Sequence, residues 1–283
     1  MRKTVLAAIC AVGMLITGCG GDNPSQKPAN TKEKVTIGVI THLNASEVEY
    51  NNIMAKLEKS YRPSKANLAA NYKYFDKMNE MQLALESRQI DMLSTYQNVA
   101  NYMIQRSENK ELLPSERILS DSFCFAVREE DTKLKKELNK AIKAMIDDET
   151  LSKISKQFIT DVKMGEEPPA VEISEIEGAD TIKVAVTGDL PPFDMILADG
   201  TPAGFSTAVL AEVSRRINKN IELISIDSAA RASILASKGA DVVFWVAVPK
   251  DNNLIPSNID VPAGIAITEP YYHDNIVHVG LKQ

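Results

Sequence analysis

The chain is poor in the residues that carry most metal, redox and nucleophile chemistry. Its 283 residues include three cysteines, at 10, 19 and 124, and three histidines, at 42, 273 and 278. No His/Cys cluster has metal-ligand spacing, so neither a metal nor a cofactor is expected. No Ser-His-Asp set, Cys-His set or paired carboxylate stands out, and a catalytic role is not expected either. No basic cluster interrupts a chain of formal net charge -6, which argues against a nucleic-acid partner. The apolar run from Thr4 to Thr17 falls short of the roughly 20 residues that a membrane-spanning helix needs. There is one tryptophan, Trp245.

What is present begins with Arg2 and Lys3, followed by that apolar run and then Leu15-Ile16-Thr17-Gly18-Cys19. A short basic head, an apolar stretch and small residues are the marks of an export signal. The segment resembles the bacterial lipobox, which implies cleavage before Cys19 and lipid on its thiol. Losing Arg2 and Lys3 with residues 1–18 takes the formal charge from -6 to -8. Cys10 would leave with the signal and Cys19 would be lipidated, so Cys124 alone remains and no intramolecular disulfide is possible. Residues 19–33, rich in Gly, Pro, Asn and Lys, read as a flexible tether.

The remaining body of roughly 250 residues is long enough for two lobes. Strands are predicted at 35–40, 72–75 and 90–93, with helices at 46–59 and 78–88 between them. The second half repeats the plan, with strands at 182–186, 221–224 and 241–245 and helices at 205–217 and 229–237. The joint before each third strand is alike, Glu86-Ser87-Arg88-Gln89-Ile90-Asp91 against Ala236-Ser237-Lys238-Gly239-Ala240-Asp241. Between the halves lies an extended stretch to Arg128. An amphipathic stripe of Leu134, Leu138, Ile142, Met145 and Ile146 follows, continued by Leu151, Ile154, Phe158 and Ile159. The proline- and acid-rich run 162–179 reads as a linker.

Several segments resemble type II periplasmic solute-binding proteins of the polar amino-acid group (family 3). Pro191-Pro192-Phe193, Asp199-Gly200 and Gly204-Phe205 follow one first strand. Thr268-Glu269-Pro270-Tyr271-Tyr272 resembles the family's acid-Pro-Tyr-Tyr element, and Phe125 to Asp131 with the following helices resembles its C-terminal end. The resemblance implies an α/β, two-lobed (Venus flytrap) fold, and the lobe order implies a circular permutation. Its parts would be a signal at 1–18, the tether at 19–33, and lobe 2, normally inserted, at 34–120. A hinge strand and helices packing on lobe 1 would follow at 121–160, then the linker at 161–180 and lobe 1 at 181–283.

The resemblance also implies a role: an extracytoplasmic, lipid-anchored, monomeric protein that hands a small polar ligand, an amino acid or related amine, to an ABC permease. A ligand sensor signalling to a receptor is the alternative. A dehydratase-like enzyme and a vestigial binding protein are weaker readings. Ligands of open α/β lobes bind beyond the carboxyl ends of the strands, which points to four loops. Asp189 would receive a ligand ammonium, with Phe193 on or under the ligand. Trp245 would offer a contact face. Thr41, Asn44 and Ser46, at a helix start, suit an anion. Thr95 and Tyr96 would form the opposing wall. The arginine that clamps a carboxylate in the family is missing after Trp245, where Val246-Ala247-Val248-Pro249-Lys250 stands, and Arg231 is the candidate substitute.

Overall fold

The computed structural model describes residues 34–40, 51–52, 69–113, 119–163, 165–250 and 261–282. The predicted helix 46–59, the loop carrying Thr41, Asn44 and Ser46, and Cys19 lie outside the described residues, Asn51 and Asn52 excepted. Glu33–Gln283 forms a compact unit of its own. No helix among the described residues is long and apolar enough to cross a membrane.

Two five-stranded arrangements share one plan. In lobe 2, β1 (Lys34–Ile40) lies between β2 (Ala69–Phe75) and β3 (Met92–Tyr96), both parallel to it. The strand β13 (Tyr272–Leu281) arrives antiparallel to β3 and carries β4 (Lys110–Leu112) on its far edge. In lobe 1, β6 (Thr181–Val186) lies between β10 (Asn220–Ser225) and β11 (Val242–Lys250). There β5 (Leu119–Arg128) is the antiparallel arrival, with β12 (Ile265–Ile267) on its far edge. The strands β5 and β13 cross between the lobes and pair with each other from Tyr272↔Phe123 to Ile276↔Leu119. One continuous ten-stranded sheet results. Parallel neighbours need crossover connections, and helices supply them.

The repeated joint has a physical cause. After the helix α1 (Met78–Glu86), Arg88 takes a left-handed conformation and Gln89 N donates to Ala84 O at 2.8 Å. The turn then delivers Asp91, whose carboxylate accepts Thr36 N of β1 at 2.7 Å. In lobe 1 the short helix α6 (Arg231–Ala236) ends likewise. Lys238 is left-handed, Gly239 N donates to Ile234 O at 2.9 Å, and Asp241 accepts Lys183 N of β6 at 2.9 Å. A left-handed residue after a helix lets the next amides close the orphan carbonyls, and each aspartate then locks the third strand to the first. Ile90 N donates to Ala84 O and Asp91 is tied to Thr36, which keeps both residues in the turn, so β3 begins at Met92 rather than at the predicted Ile90.

The helices cover the sheet. Met81, Leu85 and Ile90 pack against β1 in lobe 2, and there a side chain at Gly38 would meet Ile90 Cδ1 at 2.5 Å. The helices α3 (Thr132–Asp147) and α4 (Thr150–Ser155) lie on α5 (Phe205–Ile217) of lobe 1. An ion pair between Arg216 and Asp148, 2.7 Å, fastens them. Residues 170–179 are docked on lobe 1. Val171 is buried and its N–H donates to Pro202 O at 2.9 Å, while the Asn220 side chain holds Ile176 and Ala179. A helix absent from the sequence reading, α2 (Gln97–Gln105), follows β3 directly where Ser94 to Gln97 reads as a loop.

Candidate functional site

The carboxyl ends of β6, β10 and β11 in lobe 1 face those of β1 and β3 in lobe 2 across the crossing strands. Trp245 sits where β11 bulges: two residues, Phe244 and Trp245, stand opposite the single Phe125 of β5. A bulge re-aims side chains. Here the indole meets Tyr96 of lobe 2 edge-on at 6.1 Å and Phe123 of the crossing strand at 5.9 Å. Trp245 is 7% exposed, and its Nε1–H has no hydrogen-bond partner among the described residues. The Thr95 hydroxyl, at the end of β3, is likewise buried and without a partner among them.

Arg231 is buried behind Trp245. Its guanidinium lies 4.8 Å from the indole ring, Nε donates to Ser228 O at 3.1 Å, and an Nη donates to Trp245 O at 3.3 Å. The arginine thus holds both the ring and the backbone of the bulge, and it places a buried cation beside the seam.

The loop after β6 forms a small hairpin, β7 (Asp189–Leu190) with β8 (Asp194–Ile196), through Pro191 and Pro192. A two-residue strand, β9 (Pro202–Ala203), pairs with the outer side of β8. Asp194 organises the hairpin: one carboxylate oxygen accepts Thr187 N at 2.9 Å, Thr187 Oγ1 at 3.1 Å and Gly188 N at 2.9 Å. Burial nevertheless pushes its carboxyl up to about 6. The carbonyls of Pro192 and Phe193 accept the first amides of α5, from Phe205 and Ser206. They approach so closely that a Cβ at Gly204 would lie 2.6 Å from Phe193 O, and Gly204 itself has a positive φ of 99°. Phe193 is 1% exposed, packed against Phe123 at 5.1 Å, Tyr272 at 5.4 Å and Phe205 at 6.0 Å. It therefore lies in the aromatic core.

Asp189 leaves this hairpin toward lobe 2, where Met78 N at the start of α1 donates to its carboxylate at 2.8 Å. Burial raises its pKa, against the pull of that amide. Beside it, Lys77 Nζ meets Asp227 Oδ1 at 3.1 Å. The structure therefore brings Arg231, Trp245 and Tyr96 together at the seam, packs Phe193 against Phe123 and Tyr272, and carries Asp189 across to the start of α1.

The sequence reading misses the polar hinge. Asp121 and Asp274 are cross-strand neighbours where β5 and β13 cross. Tyr96 OH donates to Asp121 at 3.2 Å, while Asn98 N and Nδ2 donate to Asp274 at 3.1 and 3.0 Å. Burial raises the Asp274 carboxyl against these bonds. The 3.6-residue spacing of Val99, Ala100, Met103 and Ile104 was the available signal for the helix that carries Asn98. Cys124, next to the seam in sequence, is buried, and burial pushes its thiol up to about 12.

Two lobes with the same strand plan, joined by crossing strands and meeting at an aromatic seam, define the two-lobed periplasmic-binding-protein fold. The chain belongs to the bacterial extracellular solute-binding proteins, family 3, whose model matches residues 67–161 and 182–250, more than half of its length. No curated protein matches it in sequence. Among solved structures it is similar to the ligand-binding component of an ABC-type import system from Staphylococcus aureus with zinc bound. That pair is 13% identical with a TM-score of 0.42, over 87% of this chain and 65% of that one, so this chain spans less than two thirds of that protein's length. It is also similar to a nutrient-binding protein from Burkholderia cenocepacia bound to methionine, 13% identical, TM-score 0.39, over 87% and 84% of the two chains. A third is the GluR0 ligand-binding core from Nostoc punctiforme with L-glutamate, 11% identical, TM-score 0.39, over 89% and 85%.

Proposed function

We propose that the chain is the extracytoplasmic receptor of an ABC-type importer, anchored by lipid at Cys19 and lifted from the membrane by residues 19–33. Its ligand is a small polar molecule, an amino acid or related amine, enclosed at the seam. Trp245 and Tyr96 form the walls, Phe193 supports the floor, and Thr95, Arg231 and Asp189 supply polar groups. Thr41, Asn44 and Ser46 complete the lobe 2 side. The observation that carries the reading is the Trp245 indole N–H, buried between the lobes without an acceptor among the described residues. A buried orphan donor costs about 1–3 kcal/mol, and a ligand acceptor removes that cost. Arg231 serves the ligand through the bulge that it holds, since among the described residues its hydrogen bonds run to Ser228 O and Trp245 O.

The lobe order supports a circular permutation. Lobe 2 comes first, β5 crosses to helices on lobe 1, and the segment 161–180 leads from those helices into β6.

The sole tryptophan gives a direct test. Titration of the protein with amino acids, amines, small acids and sugars, followed by Trp245 emission and thermal shift, should pick out one chemical class. At 100 Kd the ligand stabilises by about 2.7 kcal/mol. Absence of any response across all four classes sinks the proposal.

A further inference from the structure

Besides the Trp245–Tyr96 contact, polar groups of the described residues bridge the two lobes at the start of α1. The helix α1 begins without a cap of its own: its N-cap residue is Lys77, and no side chain of its own segment bonds the first amides. Helix starts leave such amides unsatisfied and carry a partial positive charge. The missing cap comes from the other lobe, as the Asp189 carboxylate accepts Met78 N at 2.8 Å. Lys77 and Asp227, 3.1 Å apart, hold the same station in the two lobes. Each immediately precedes the helical turn that leads to the left-handed residue, Arg88 or Lys238, and to the locking aspartate. Opposite charges at equivalent positions of the two lobes thus meet.

We infer that Asp189, Met78, Lys77 and Asp227 form an interlobe latch that closes the protein without ligand. Asp189 occupies the α1 N-terminus as a carboxylate ligand would, and the Lys77–Asp227 pair sets the register in which the lobes meet. A ligand enters by displacing the latch, so its apparent affinity is reduced by the fraction of molecules held shut. The latch rests on the two-lobed fold and not on the identity of any ligand.

Hydrogen exchange of the full chain without ligand tests it, read at the Met78 amide. Asp189→Ala should speed that exchange about tenfold, the factor corresponding to loss of one hydrogen bond to a charged group. Lys77→Asp, which sets like charges opposite each other, should also speed it, and adding Asp227→Lys should restore protection. Exchange in α3, which contains no latch residue, should stay at the wild-type rate and so report that each variant is folded. Fast exchange at Met78 in the wild-type chain, or a charge-swapped pair no better protected than Lys77→Asp alone, overturns the latch.

Discussion

Trp245→Phe and Trp245→Ala should separate what the indole does for stability from what it does for binding. Truncation to alanine removes a buried ring along with its contacts to Arg231, Tyr96 and Phe123, and such losses cost about 3–5 kcal/mol. Phenylalanine keeps most of those contacts and deletes the N–H that lacks an acceptor among the described residues. Relief of its penalty, about 1–3 kcal/mol, offsets the smaller ring, and near-conservative swaps of this kind stay within about 1.5 kcal/mol of wild type. The two variants should therefore differ by at least about 1.5 kcal/mol, or roughly 3–6 °C in Tm at about 2–4 °C per kcal/mol. Urea denaturation followed by far-UV circular dichroism measures this without the lost fluorophore. Trp245→Phe should nonetheless lose most of any ligand-induced thermal shift. Equal destabilisation of the two variants would refute the reasoning, because the N–H would then be contributing to the fold.

Phe193→Ala should cost about 3–5 kcal/mol in urea denaturation, since the ring touches both crossing strands and α5; a loss below about 1 kcal/mol would place it outside the core. The Asp194 carboxyl is raised from 3.8 to about 6 in the folded chain, so the native state binds the extra proton between those values. Stability from this group should rise as the pH falls from the upper of those values to the lower, by about 1.4 kcal/mol for each pH unit crossed. Asp194→Asn should flatten that rise, and an identical pH profile in both proteins would show that another group carries it. Deleting residues 277–283 strips β3 and β4 of the rungs Val277↔Thr95, Val279↔Leu93 and Val279↔Leu112. It should destabilise lobe 2 and speed its proteolysis; wild-type resistance would remove β13 as the second crossing strand.

Much of this molecule could be read along the chain. The apolar runs of β1, β6 and β11 and the stripes of α3 and α5 are local patterns, legible because burial on one face imposes a period on neighbouring residues. The likeness of Arg88-Gln89-Ile90-Asp91 to Lys238-Gly239-Ala240-Asp241 marks a repeated joint before the third strand of each half. The three-residue β4 and β12 are too short to carry a period, and they exist because β13 and β5 offer them open edges. The docking of residues 170–179 also escapes a local reading, since it depends on Asn220 and Pro202.

The site divides in the same way. Residue types and loop positions single out Asp189, Phe193, Arg231, Trp245 and Tyr96 in sequence, because strand ends and helix starts are locally coded. Which of them meet is decided between residues more than a hundred positions apart. Asp189 caps a helix in the other lobe, Trp245 swings to Tyr96 through a bulge, and Asn98 reaches Asp274 across the hinge. Local sequence determined the elements and the chemistry at their ends. Tertiary structure alone decided the partners, because a hydrogen bond or ring contact between lobes depends on where two separate sheets bring their edges, and no short stretch of chain encodes that distance.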